Sequence, residues 1–390
     1  MAATWYFSAP GRTELGGNHT DHQHGCVLAA AVNMETTAEV TRSGENRIRV
    51  WSEGYPPVEV DLRDVSVRPG ERNTTAALVR GMAAAFQREG VVLGGFDARV
   101  RSNVLPGSGL SSSAAFEVLL GVICNTLFCR GRFSPVELAQ MGQYAENVYF
   151  GKPCGLMDQT ASSVGGMVFM DFQNPQKPLV RQIPFDFAAT GYSLCLIDTG
   201  ADHADLTGEY AAITEDLRTV CAFFGETALR AVPEAAFYAE LKDLRATAGD
   251  RAVLRAIHVF DENRRVLRQK QALEQGDFQA FLACVTESGC SSWRYLQNIT
   301  PAGRTDRQEV AFALALAEKL LRGRGACRVH GGGFAGTIQA FVPHDLLEEF
   351  QQGIARVLGC GKCHVLQIRP EGGICVGMRE NVQESAQHKY

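Results

Sequence analysis

Between residues 97 and 128 three kinds of sequence follow closely on one another: DARVRSNV, then PGSGLSSSAA, then FEVLLGVICNTLF. The first alternates β-branched and charged residues and reads as a strand. The last is apolar nearly all round, so a helix made from it has no polar face for water and belongs inside the protein. The turn between them consists of Gly107, Ser108, Gly109, Leu110, Ser111, Ser112 and Ser113. Glycine lets backbone approach a ligand closely, and a helix start offers unpaired N–H groups and the positive end of a dipole. That combination suits phosphate, and three consecutive serines favour an anion or Mg²⁺. No Gly-Lys-[Ser/Thr] follows, so this is not a Walker A loop. Ser112 stands where G-x-G-x-x-G needs its third glycine. A plain strand-to-helix turn would have the same composition.

A chain of 390 residues has room for two domains. WYFSA, the region 27–42, RIRVW and VEVDL read as further strands, with Asn73 capping a helix that runs to Glu89. Ser134-Pro135-Val136-Glu137 is a capping box with proline at the first helical position, and Gly151 ends that helix. MVFMDF (167–172) is a strand. The proline-rich QNPQKPLVRQIP (173–184) marks a boundary, giving domains 1–175 and 176–390. Beyond it come the strand YSLCLIDTG, helices between 207 and 322, and the glycine cluster Gly331-Gly332-Gly333-Phe334-Ala335-Gly336. The cluster reads equally as a hairpin or a ligand loop. A helix at HDLLEEFQQGIARVL and strands at HVLQIRP and GICVG complete the chain. Strict βα alternation is missing, so the fold class is α+β in both halves.

Composition removes several functions. The formal net charge is −5, which gives no electrostatic case for nucleic acid or an anionic membrane as partner. No apolar run reaches the ~18–20 residues of a membrane span, and MAATWYFSAPGR lacks a secretory pattern. The expected location is the cytoplasm, which discounts the Asn-x-[Ser/Thr] sites. Twelve cysteines form no framework. Cys360-Gly361-Lys362-Cys363-His364 matches the C-x-x-C-H of haem attachment, but without export it reads as ordinary thiols near a turn. The segment GGNHTDHQHG (16–25) raises a metal question of its own, since imidazole and carboxylate are transition-metal ligands. No other histidine pair and no helical H-x-x-x-H supports such a site.

Four segments in order, APGRTELGGNHTDHQHG, LPGSGLSSSAA, GKPCGLMDQ (151–159) and HGGGFAG, resemble those of the galactokinases of the GHMP kinase superfamily. The resemblance spans nearly the whole chain and implies a two-domain α+β GHMP kinase fold with the active site between the domains. It implies ATP and Mg²⁺ as cofactors and phosphorylation of the anomeric hydroxyl of galactose, by a monomer or weak oligomer. Carried over residue by residue, Asp158 corresponds to the catalytic aspartate and Arg12 to the arginine paired with it. Asn18, His19, Asp21, Gly155 and Tyr210 fall at the sugar-binding positions. Residues 107–113 are the nucleotide loop, and Ser112 and Glu146 the Mg²⁺ ligands, with Ser111 and Ser113 competing for that role. The opening histidines then belong to a hydroxyl-reading loop, and His22 and His24 carry no assigned chemistry.

The sequence departs from the family motif at two places: Glu14 replaces an asparagine, and Asn18 replaces the glutamate near the sugar's C6 hydroxyl. Plant galacturonokinases also lack that glutamate and carry Asp-His-Gln, as here at 21–23. A neutral Asn18 is therefore expected to tolerate a C6 carboxylate, leaving galacturonate or another C6-altered sugar as the alternative substrate. A non-catalytic galactose and ATP sensor is a further alternative. The complete GLSSSAA argues against it, and Met-Asp-Gln with His-Thr-Asp argues against a mevalonate or homoserine kinase.

Overall fold

The computed structural model describes residues 3–105, 107–152, 154–201 and 206–380. The alternating segments of the first half form β1 (Ala3–Gly16), β2 (Cys26–Arg42), β3 (Arg47–Ser52), β4 (Val58–Asp61), β5 (Phe96–Ser102), β6 (Met167–Asp171) and β7 (Leu179–Ile183). The second half supplies β8 (Tyr192–Asp198), β9 (Ala326–Val329), β10 (Thr337–Pro343), β11 (Cys363–Leu366) and β12 (Ile374–Glu380). Among the described residues these make two sheets. One has the order β12-β1-β2-β5-β3-β4, with β6 joined to β2 and β7 to β6; the other has the order β11-β8-β10-β9. Both β7 and β12 thus belong to the first sheet, so it extends past the boundary expected at 175. The prolines that suggested a linker flank an edge strand, where a missing N–H donor is tolerated.

The helices are α1 (Thr75–Arg88), α2 (Ser112–Cys129), α3 (Pro135–Tyr144), α4 (Met157–Val164), α5 (Thr207–Phe223), α6 (Glu234–Ala239), α7 (Leu241–Ala248), α8 (Asp250–Glu274), α9 (Phe278–Ser291), α10 (Glu309–Leu321) and α11 (Leu347–Leu358). Helix α2 is long and apolar enough to cross a membrane by length and composition, yet 72% of it is buried within the protein. The expectation that no apolar run is that long does not hold for α2. Its role is that of a core helix, packed with α1 and α3 over the first sheet through Leu119, Ile123, Met82 and Phe96. The cap of α1 is Thr74, whose side chain accepts from the Ala77 amide, rather than Asn73, which takes a left-handed φ of 60° just before it. The capping box of Ser134 and Glu137 forms as the sequence predicts, with Pro135 leading the helix.

Strand β1 joins the two halves. Its pairing with β2 shifts register between Pro10 and Arg12 and again between Glu14 and Gly16. Such bulges re-aim side chains, and here they flank Arg12 and Glu14. Beyond Arg12 the strand meets the second sheet. Gln339 Nε2 donates to Thr13 Oγ1 (2.8 Å) and to the Glu14 carbonyl (3.1 Å). His330 Nε2 lies 3.0 Å from Thr13 Oγ1.

Candidate active site

The glycine loop turns through three left-handed residues, Gly107 (φ 69°), Gly109 (φ 72°) and Ser111 (φ 60°), before α2 begins. No side chain caps the helix start, so its first amides and its dipole are directed at whatever occupies the loop. The loop leans on the second sheet, where Thr337 Oγ1 donates to the Ser108 carbonyl at 2.9 Å. A Cβ on Gly109 would lie 3.0 Å from His330 Nδ1.

Asp158, in the first turn of α4, meets Arg12 and the loop together. Arg12 Nε and Nη2 lie 2.7 and 2.6 Å from Asp158 Oδ1. Ser111 Oγ donates to Oδ2 at 2.5 Å, and Arg12 Nη1 donates to the Gly109 carbonyl. Burial pushes the Asp158 carboxyl up, but the Arg12 guanidinium and the Ser111 hydroxyl outweigh it and hold the group below the ordinary carboxylate range. The side chain is still 25% exposed, so the ionised group keeps an open face.

Asp21 is the opposite case. Burial and then the Asp158 carboxylate push its pKa up. Two neighbouring carboxylates driven apart in this way suit different tasks. Gly155 allows their loops to meet, because a Cβ there would lie 2.0 Å from Asp21 Oδ2. Tyr210 donates to the Gly333 carbonyl at 2.9 Å and stands edge-on to Phe334. The glycine cluster is therefore a wall of the same site: His19 Nε2 lies 3.0 Å from the Gly332 carbonyl.

Glu146 lies where α3 loosens into a π-helical turn, Ala145–Phe150, closed by Gly151. Such turns recur at functional sites, and this one brings Glu146 inward, 2% exposed. Its carboxylate accepts from Ser113 Oγ (3.1 Å) and from Gln159 Nε2 (2.8 Å). Ser113 is thus the serine that meets Glu146 in this structure, a place expected of Ser112. Gln159 Nε2 also donates to Glu117 at 2.9 Å. Burial, and then Glu146, push Glu117 well above the usual carboxylate range. The sequence contained a signal for Glu117: it is a lone carboxylate in an otherwise apolar helix.

Within the histidine-rich loop the rings hydrogen-bond to one another. Gln23 Nε2 lies 3.2 Å from His22 Nδ1, and His22 Nε2 lies 3.2 Å from His19 Nδ1. With His19 Nε2–H donating to the Gly332 carbonyl, one neutral tautomer for each ring satisfies the series. Burial, and then His19, lower His22 to about 3. Among the described residues no group of three or more His, Cys, Asp or Glu is arranged to hold a metal. Protein purified without a histidine tag is expected to carry well below one equivalent of zinc. Stoichiometric zinc that disappears in His22→Ala would overturn this reading.

Comparison with known proteins agrees with the geometry. The GHMP kinases N terminal domain matches residues 77–166, and the galactokinase galactose-binding signature matches residues 2–42. A galactokinase from Streptomyces coelicolor is 35% identical over 336 residues, covering 85% of this chain and 82% of the relative. The chain belongs to the galactokinase family. The structure of Lactococcus lactis galactokinase complexed with galactose superposes with a TM-score of 0.79 at 26% identity, covering 95% of this chain and 94% of that one. Mevalonate kinase from Methanococcus jannaschii, at 11% identity and a TM-score of 0.66, shares the GHMP kinase fold. The galactose-binding signature takes in β1, the histidine loop and β2, and so contains Arg12, Asn18, His19 and Asp21.

Against the galactokinase motif, the exchange at 14 and 18 has a structural counterpart. Glu14 forms a buried ion pair with Arg328. Asn18 is 1% exposed; its Nδ2 donates to Glu14 (3.1 Å) and to the Gly331 carbonyl (2.7 Å). Its Oδ1 accepts from Asn298 at 2.9 Å. The carboxylate absent at 18 is thus present one contact away, and the amide's donors and acceptor are all engaged within the protein. The exchange at 14 and 18 thus keeps one carboxylate and one amide in contact with each other.

Proposed function

We propose that this galactokinase family member transfers the γ-phosphoryl group of ATP to the anomeric hydroxyl of galactose, giving galactose 1-phosphate. The observation that carries the reading is an ionised Asp158 held between Arg12 and Ser111, at the mouth of a glycine loop made for phosphate. Phosphoryl transfer depends chiefly on positioning and charge neutralisation. A carboxylate held below its usual pKa is a weak base, so Asp158 acts first by orienting the sugar hydroxyl and accepting its hydrogen bond. Asp21 reads ring hydroxyls. His19, whose two ring nitrogens are engaged by the Gly332 carbonyl and His22, braces the loop instead of making the hydroxyl contact expected of it. Gly155 gives the carboxylate room, Tyr210 closes the far wall, and Asn18 supports the loop from behind. Amides of residues 107–113 and the α2 dipole hold the phosphates.

The carboxylate of Glu146 and the hydroxyl of Ser113 meet as oxygen donors, which fit Mg²⁺, and Ser112 is their neighbour in the chain. The ion, when bound, would neutralise phosphate charge. The proposed partners are the sugar and ATP alone, without nucleic acid or membrane, for a cytoplasmic monomer or weak oligomer; the net charge of −5 supports the first exclusion.

The test is ADP release with galactose, galacturonate, talose and mevalonate, with the product identified by phosphorus NMR. Galactose is expected to give the highest kcat/KM and a sugar 1-phosphate. Galactose binding without ADP from any substrate would make the chain a sensor. A preference for galacturonate would restore the C6-altered reading.

A further inference from the structure

Helix α8 lies along the loop that carries Asn18, His19 and Asp21 and holds its backbone at both ends and in its first turn. Gln269 Nε2 donates to the Leu15 carbonyl at 3.2 Å. Glu262 Oε1 accepts from the amides of Gly17 (3.1 Å) and Asn18 (3.4 Å). His258 Nε2 meets the Asn18 carbonyl at 3.0 Å, and Asn263 Oδ1 accepts from the Cys26 amide at 2.7 Å. Positions 258, 262 and 269 fall on one face of the helix. The approach is close enough to require glycine in two places. A Cβ on Gly16 would lie 1.9 Å from Gln269 Oε1, and one on Gly25 would lie 2.4 Å from Asn263 Oδ1.

The anchors are themselves fixed. Glu262 and His258 are fully buried; Glu262 accepts from Ser288 Oγ at 2.7 Å and pairs with Arg265. Burial would raise the Glu262 carboxyl, but Arg265 and then His258 bring it down to about 2. Burial holds His258 near 4. A neutral ring donates through Nε2–H to the Asn18 carbonyl and accepts at Nδ1 from Ser291, 2.8 Å away. The peptide units on both sides of Asn18 are thereby fixed. The next residue, His19, adopts φ 60°, a conformation disfavoured for any residue with a side chain and kept only where its surroundings enforce it.

We propose that Glu262 and His258 are positioning residues for sugar binding. By clamping the backbone of residues 17–18 they keep His19 left-handed and aim Asp21 at the sugar. The proposal rests on the reading of residues 16–25 as the sugar loop.

The test is steady-state kinetics on the full chain. In Glu262→Ala the galactose KM is expected to rise about ten- to a hundredfold, as for misplacement of binding groups from a distance, while the ATP KM barely moves. Glu262→Gln keeps an oxygen that can accept from the two amides and should recover much of the loss. His258→Leu removes the donor to Asn18 with similar volume and should show the same split, which keeps the test decisive if Glu262→Ala fails to fold. Arg264→Ala breaks the exposed pairs with Glu234 and Asp261 on the outer face of α8. It should lower Tm at most and leave the galactose KM alone. If Glu262→Ala and His258→Leu shift both KM values together, or change Tm alone, α8 is only scaffold and the proposal falls. An unchanged galactose KM in Asp21→Asn would instead overturn the sugar-loop reading, and the proposal with it.

Discussion

Asp158→Ala is expected to lower kcat by about 10²- to 10⁴-fold, the usual contribution of a group that takes or orients a proton. The substitution also leaves the Arg12 guanidinium, only 8% exposed, without its carboxylate. An uncompensated buried charge costs on the order of 3–5 kcal/mol, so Tm should fall as well. Asp158→Asn removes the same charge and shares part of that cost, but it keeps the volume and an oxygen that can still accept from Arg12, so its loss of Tm should be smaller. It should remain folded with kcat still reduced by at least about a hundredfold. Turnover above about a tenth of wild type, well short of that range, would remove Asp158 from the mechanism. The pH dependence is also specified. Because the folded pKa lies below the ordinary value, the stability from this pair is fully present above the unfolded carboxyl's pKa near ~4 and is lost as the pH falls through the folded value. The profile of kcat should therefore show no Asp158 titration near neutrality. An acid limb at pH ~6–7, above any unperturbed carboxyl, that vanished in Asp158→Asn would make the residue a true general base.

Asn18→Glu is expected to destabilise the protein rather than retune its substrate choice. The new carboxylate would be buried beside Glu14, which already shares its charge with Arg328, and would displace the donor Glu14 now accepts at 3.1 Å. An unpaired buried charge is again worth roughly 3–5 kcal/mol, visible as a lower Tm and a lower denaturation midpoint. Adding Glu14→Asn relocates the single carboxylate to the family's usual position. The double variant should recover much of the loss, a coupling expected between contacting residues. Wild-type Tm in Asn18→Glu, with a galactose-over-galacturonate ratio shifted towards galactose, would show that residue 18 faces C6 after all.

What the sequence made legible was local. The capping box at 134–137, the stop at Gly151 and the glycine loop each act over a few residues, so short spacings carry the information. The resemblance then brought distant segments together. What it could not supply depends on neighbours far along the chain. Glu14 meets Arg328 across 314 positions, and no periodicity around either residue announces the other. Helix α3 looks continuous in sequence, yet its last turn widens and moves Glu146 inward beside Ser113. Asn73 and Thr74 are both good caps, and only the packing of α1 decides between them. In α8, Glu262 and His258 look like polar positions on an ordinary amphipathic helix until the loop they hold is in place.

The pairing of β12 with β1 bears on how the molecule is made. Ala3 lies opposite Glu380 in that ladder, so a strand made early is paired with one made much later. Until residues 374–380 emerge, β1 itself is an edge strand and presents its own unpaired N–H and C=O groups, the kind of surface on which chains aggregate. Vectorial folding of the early half can thus produce its helices and most of its strands but leaves β1 unpaired on that side. Contacts of such sequence separation slow folding and lengthen the time spent as an exposed intermediate. The energetic consequence of a missing C-terminal strand would therefore be felt at β1, the strand that carries Arg12.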